Sequence, residues 1–189
     1  MSQRSLSRLS LIAAMCSIVI PSLPVAYAEK ADQDKPVVLE AKKVSGNDVQ
    51  QTYELDGDVL ITKGSILITG EKANIEVDSE GYEYLDVHGL PELIASFRQR
   101  REGPVDEFMQ GKGEVVTYNA KTELLTLTGN ASLKRLLNMQ MLDQVFGNII
   151  QYDDIKQSYR VTAQSKPKPG DPPLTRAILS PRQKATLEK

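Results

Sequence analysis

Apolar and polar residues alternate with a period of two along most of this chain, and Gly-, Pro- and Asn-containing turns interrupt the alternation at intervals. That period is the signature of strands with one buried face. The plainest run is Leu55-Asp56-Gly57-Asp58-Val59-Leu60-Ile61-Thr62-Lys63, which returns altered as Leu127-Thr128-Gly129-Asn130-Ala131-Ser132-Leu133-Lys134. In the first copy Leu55, Val59 and Ile61 share a face with Gly57. In the second, Leu125, Leu127, Ala131 and Leu133 share a face around Gly129. A Gly inside such a run, followed by Asp or Asn, predicts a bulge or bend in a strand that keeps one apolar face.

The same reading divides the rest of the chain. Pro36 to Ala41 predicts a first strand, with Pro at its start where the missing N–H costs least. After a turn over 47–51, Thr52 to Thr62 is the long first copy, and Lys63-Gly64 turns it into Ser65 to Thr69. Gly70-Glu71-Lys72 bends the chain again before Ala73, Ile75 and Val77 resume the alternation. Strands are expected over Tyr82 to Val87 and Leu93 to Phe97. Gln99 to Pro104 reads as a polar hairpin loop, and Gly111-Lys112-Gly113 as the opening of a strand over Glu114 to Tyr118. Glu123 to Leu127 leads into the second copy. Ser158 to Ala163 and Leu174 to Leu179 read as late strands, separated by a Pro- and Lys-rich linker over 165–173. The segment from Leu133 to Val145 is the nearest thing to a helix, and a helical turn or an apolar loop fits it equally well. Gly57 and Gly129 stand 72 positions apart, so the repetition is a loose doubling rather than a strict array.

Residues 1–28 carry a different pattern: Arg4 and Arg8, then an apolar run from Leu9 to Ile20 broken by Pro21 and Pro24, then Ala26-Tyr27-Ala28. This predicts a cleaved secretory signal, too short for a good membrane span; an uncleaved anchor is the alternative. Met15 in front of Cys16 argues against a lipidated cysteine. Cleavage leaves 161 of 189 residues: one β-domain over 29–181 and a flexible tail over 182–189. Removing the two arginines of the signal from 23 basic against 25 acidic residues gives a net charge of −4, which disfavours nucleic acid as a partner. The only Cys lies in the signal, so stability must come from the sheet and its core.

Candidate chemistry is sparse. One His and no Cys beyond the signal exclude thiol nucleophiles and Zn-type clusters. His88 sits before Gly89-Leu90-Pro91 at a turn, and Asp56/Asp58 and Asp153/Asp154 suit solvated faces and turns better than paired catalytic carboxylates. No phosphate-cradling Gly motif is present, since the glycines interrupt strands. The chain reads as a binding or structural protein, not an enzyme. Arg98, Arg100 and Arg101 form a basic cluster in the expected hairpin loop, which suits either a solvated loop or contact with a phosphate or anionic head group.

Taken together, Pro36 to Ala41, Leu55 to Ile61, Gly89-Leu90-Pro91, Tyr118 to Lys121 with Leu127 to Ala131, and Arg176 to Pro181 resemble the LptA (OstA-like) family of lipopolysaccharide-transport bridge proteins. The resemblance covers nearly all of the chain beyond the signal. It implies an all-β fold: a twisted antiparallel V-shaped β-jellyroll, or half-barrel, with an apolar groove for the acyl chains of lipid A. It implies a periplasmic carrier of lipopolysaccharide, without cofactor or catalysis, that stacks head to tail between an LptC-like inner-membrane protein and an LptD-like outer-membrane translocon. Carried over motif by motif, Val37 and Leu39 match edge positions. Leu55, Val59, Ile61, Ile66, Ile68, Ala73 and Ile75 match one half of the groove, and Tyr118, Leu125, Leu127, Ala131 and Leu133 the other. Each would serve equally as ordinary core, since groove and core look alike in sequence. Leu136 to Phe146 departs from the family as an insertion that would lengthen a hairpin, cover the groove or alter an end contact.

Within that fold, the membrane-anchored LptC and the N-terminal part of LptD are related forms; the signal and short length point to the LptA-like member. The reading from a different class is a non-lipid structural or adaptor β-domain of the envelope. A glycan hydrolase using the Asp pairs is a distant third.

Overall fold

A computed structural model of the protein describes residues 32–101, 106–163 and 175–181. The expected signal over 1–28, the linker over 165–173 and the tail over 182–189 lie outside the described residues. Those described form twelve strands and no helix: β1 (Val37–Glu40), β2 (Lys43–Asn47), β3 (Thr52–Lys63), β4 (Ile66–Val77), β5 (Glu83–His88), β6 (Ala95–Arg100), β7 (Glu107–Gly113), β8 (Val115–Asn119), β9 (Leu124–Leu137), β10 (Gln140–Asp153), β11 (Ser158–Thr162) and β12 (Arg176–Leu179). All pairings are antiparallel, as the all-β expectation required.

The four long strands, β3, β4, β9 and β10, each serve two leaves. Residues 52–56 of β3 pair with β2 and residues 60–63 with β1; 72–77 of β4 pair with β5 and 67–69 with β6. The second half of the chain repeats this, with 124–128 of β9 on β8 and 132–137 on β7, and 149–153 of β10 on β11 and 143–146 on β12. Leaf I therefore holds β2, β5, β8 and β11 with one end of each long strand, and leaf II holds β1, β6, β7 and β12 with the other. Pairing of β5 with β8 and of β6 with β7 joins the two halves, so β4, β5, β8, β9, β7 and β6 close a ring of six. The outcome is a two-leaved wedge whose leaves meet where the long strands bend.

The bends are where the sequence motif falls. Gly57 and Asp58 together oppose Glu71, and Gly129 and Asn130 together oppose Asn148, so each copy of the motif is a bulge with one extra residue. All four bulge residues have positive φ: 83° and 49° in the first copy, 76° and 45° in the second. Gly takes that region without a Cβ penalty and Asp or Asn tolerates it, which explains the Gly-[Asp/Asn] pair. At equivalent places the Gly57 carbonyl accepts from Lys42 N at 2.8 Å and the Gly129 carbonyl from Glu114 N at 3.0 Å. The polar partner is then held from the same neighbour: Lys42 Nζ lies 2.9 Å from Asp58 Oδ2, and Asn130 Nδ2 donates to Glu114 Oε1 at 2.8 Å.

Several expectations are corrected. The stretch from Leu133 to Val145 is neither helix nor loop: β9 runs on to Leu137 and β10 starts at Gln140, so the segment is the end of a long β-hairpin. Its apolar residues scatter to both faces of strands, which imitates helical spacing. Gly111 lies inside β7, not at the start of a strand, and β7 and β2 were not anticipated because Glu107–Gly113 and Lys43–Asn47 carry little apolar alternation. Nor is Gln99–Pro104 a loop throughout, since β6 continues to Arg100.

Candidate functional site

The inner faces of the two leaves enclose a single apolar layer. Leu55, Val59, Ile61, Ile66, Ile68, Ala73, Ile75, Tyr118, Leu125, Leu127, Ala131 and Leu133 are all buried in it, between 0 and 7 % exposed. The strand parity read from the sequence holds through both bulges: Leu55, Val59 and Ile61 point inward while Leu60 stands on the outer face. Phe97, Val87, Val116 and Ile150 are among the further members of the layer that the sequence pattern does not single out. The Phe97 ring from leaf II meets the Tyr118 ring from leaf I at 6.2 Å between centroids. Val37 and Leu39, with Ala41 and Tyr53, are only half-buried against this layer at the β1/β2 end, and Val161 is so at the β11 end. The apolar layer thus runs from one edge of the wedge to the other and reaches solvent at both.

Opposite the bends the leaves part, and the inner faces change character. Lys63 on leaf II reaches Glu83 on leaf I at 2.8 Å. Gln99, 8 % exposed, donates to Asp154 Oδ2 at 3.2 Å, and the Tyr152 hydroxyl donates to Asp154 Oδ1 at 2.8 Å. Burial first, and then the Asp154 charge, push the Tyr118 and Tyr152 phenols well above the usual tyrosine range. Asp32 and Gln33 span the same opening. Asp32 accepts from Ser65 N at 2.7 Å and Gln33 Nε2 donates to Glu123 Oε1 at 2.6 Å. A polar seam therefore closes the mouth of the wedge over its apolar interior.

The three arginines expected to cluster do not. Alternation along β6 sends Arg98 and Arg100 to the outer face of leaf II, and continued one residue past the strand it turns Arg101 inward. Arg98 lies over the Phe108 ring at 4.3 Å, Arg100 pairs with Asp106 at 2.9 Å, and Arg101 pairs with Glu107 inside the mouth. In a loop neighbouring side chains have no fixed faces, whereas the extended backbone here sets them by parity.

Among the described residues no group of His, Cys, Asp and Glu is placed to hold a metal ion. Asp56 and Asp58 are half-exposed or more and pair with Lys72 and Lys42 on the outside.

A family profile described as "LptA/(LptD N-terminal domain) LPS transport protein" matches residues 38–158. The chain belongs to this family. Its curated relatives include the lipopolysaccharide export system protein LptA of Haemophilus influenzae, 31 % identical over 146 residues, which cover 75 % of this chain and 78 % of that protein. The protein of the same name from Escherichia coli K12 is 26 % identical over 132 residues, 69 % of each chain. The crystal structure of LptH from Pseudomonas aeruginosa, described as the LptA-homologous periplasmic component of the lipopolysaccharide transport device, superposes with a TM-score of 0.67. It shares 20 % identity over 80 % of this chain and 99 % of its own, a likeness of fold. Membership makes this LptA-family chain a component of lipopolysaccharide transport and not an enzyme.

Proposed function

We propose that this chain is a periplasmic bridge protein that carries lipopolysaccharide with the acyl chains of lipid A held between its two leaves. The observation that carries the reading is the apolar layer itself, continuous from the β1/β2 edge to the β11 edge and half-open at each. Burying one acyl chain of about twelve carbons is worth roughly 10 kcal/mol at about 0.8 kcal/mol per methylene, so the chain cannot cross water uncovered. The lining roles fall to the inward residues named above, from Leu55 to Ile75 and from Tyr118 to Leu133, with Val37 and Leu39 at the edge.

Residues 1–28 serve as the export signal, and 29–181 as the carrier domain. Among the described residues β1 and β2 pair only with β3, and β11 and β12 only with β10, which supports head-to-tail pairing of one copy's first strands with another's last. Such contacts do not close on themselves, so they build lines of copies. An LptC-like protein and an LptD-like translocon would sit at the two ends of the line.

Photo-crosslinking with lipopolysaccharide tests this, from a probe at Ile61 and separately at Leu60. A lipid adduct at Ile61 and none at Leu60 is expected. The competing reading, a closed-core adaptor, draws on the near-zero exposure of Ile61 and Ile68. Absence of any adduct on folded protein would favour it.

A further inference from the structure

Resting on the carrier reading, the geometry points to a phosphate-binding site for the lipid head group inside the mouth of the wedge, built from Arg101 and Arg135. Both arginines belong to the inward-facing row of leaf II. Phe97 and Gln99 on β6 are followed in the same row by Arg101, just past its end, where Arg101 N still donates to the Glu107 carbonyl at 2.8 Å; Ala131, Leu133 and Arg135 follow one another on β9. The row is apolar near the bends and becomes charged where the leaves part. A lipid with its chains in the apolar layer would bring its head group to this level.

The two guanidiniums share one carboxylate. Arg101 pairs with Glu107 Oε1, and Arg135 Nη1 lies 3.8 Å from the same oxygen. The main partner of Arg135 is Asp143, whose Oδ2 accepts from both its Nε, at 2.9 Å, and its Nη2. Arg101 donates its Nη2 to Gln157, on the far side of the mouth. Its Nε is buried without a hydrogen-bond partner. A mostly covered guanidinium, 15 % exposed and with an orphan Nε donor, beside a second guanidinium that reaches the same acceptor, has room for a further acceptor oxygen. A phosphate presents more than a carboxylate can and takes guanidinium forks in bidentate fashion. Glu107 therefore holds the place that a phosphate oxygen takes on loading. Arg98 and Arg100, on the outer face, have no part in this.

The test compares bisphosphorylated lipid A with its dephosphorylated form, in detergent, on the folded protein. The wild type is expected to bind the phosphorylated form roughly tenfold more tightly. Arg101→Gln with Arg135→Gln should abolish that preference and leave the dephosphorylated form bound as before, while Arg98→Gln keeps it. Glu107→Gln should strengthen binding of the phosphorylated form alone, and it decides the matter should the double variant not fold. A preference that survives the double variant, or a Glu107→Gln protein with unchanged affinity for the phosphorylated form, overturns the site and leaves the carrier reading standing. Inorganic phosphate that competes as well as the phosphorylated lipid would also overturn it, since the site would then be a free-anion site. Failure of the wild type to bind either lipid would overturn the carrier reading, and the site with it.

Discussion

Lys63 Nζ lies 2.8 Å from Glu83 Oε2 across the mouth of the wedge, with the two side chains only 14 % and 13 % exposed. They come from opposite leaves, so the pair ties β3 to β5 at a place where no backbone ladder does. Lys63→Met would strand the Glu83 carboxylate where water reaches it poorly. A loss of about 1–3 kcal/mol is expected by urea denaturation. Adding Glu83→Leu should recover much of it, because an unpaired buried charge costs more than an apolar pair of similar size.

Gly111 and Leu127 are matched in size. A Cβ at Gly111 would fall 2.7 Å from Leu127 Cδ1 and 3.0 Å from its Cδ2. Leu127 is fully buried. Gly111→Ala is expected to cost about 1–3 kcal/mol by overpacking, and Leu127→Val about 1 kcal/mol by leaving a void. The double variant should cost less than the sum of the two, which a thermal-denaturation cycle would read directly. Strict additivity would mean that the two side chains do not share that space.

The bulges should be intolerant of a Cβ for conformational reasons. Gly57→Ala holds an L-residue at φ 83° against the Lys42 side chain, whose Cδ is 2.7 Å away. About 1–2 kcal/mol of destabilisation is expected. Gly81→Ala shares the backbone cost at φ 89° but meets no neighbour within 4 Å, so it should cost less. The difference between the two melting temperatures isolates the steric part.

Stability should fall in alkali. Tyr118 and Tyr152 hold their protons more tightly in the folded chain than in the unfolded one, because burial and Asp154 disfavour the phenolate. Their contribution is complete below the ordinary tyrosine value of about 10 and is lost as pH rises above it, since only the unfolded chain then releases the protons. Tyr118→Phe should flatten the alkaline decline in urea midpoint, and the absorbance titration of the folded protein should lose a late-titrating component.

Much of the fold was written in local pattern. Alternation around Leu55 to Ile61 and Leu125 to Leu133 identified the inward face residue by residue, because a strand has only two faces and parity survives a one-residue bulge with both residues at positive φ. The Gly-[Asp/Asn] pairs marked the bends for the same reason. The quiet strands β2 and β7 escaped notice, since they are held by ladders to β3, β6 and β9 more than by apolar side chains of their own.

What the sequence by itself determined is the inward positions of the two motif strands, the doubling of the unit and the family. What only the tertiary structure decided is which distant strands meet: that β5 finds β8 and β6 finds β7 to close the ring, that Lys63 meets Glu83, and that Arg101 turns toward Arg135 while Arg98 and Arg100 turn away. Parity along one strand is a local property of the backbone. The partner across a wedge is set by where two bent leaves bring their ends, and no local pattern encodes that.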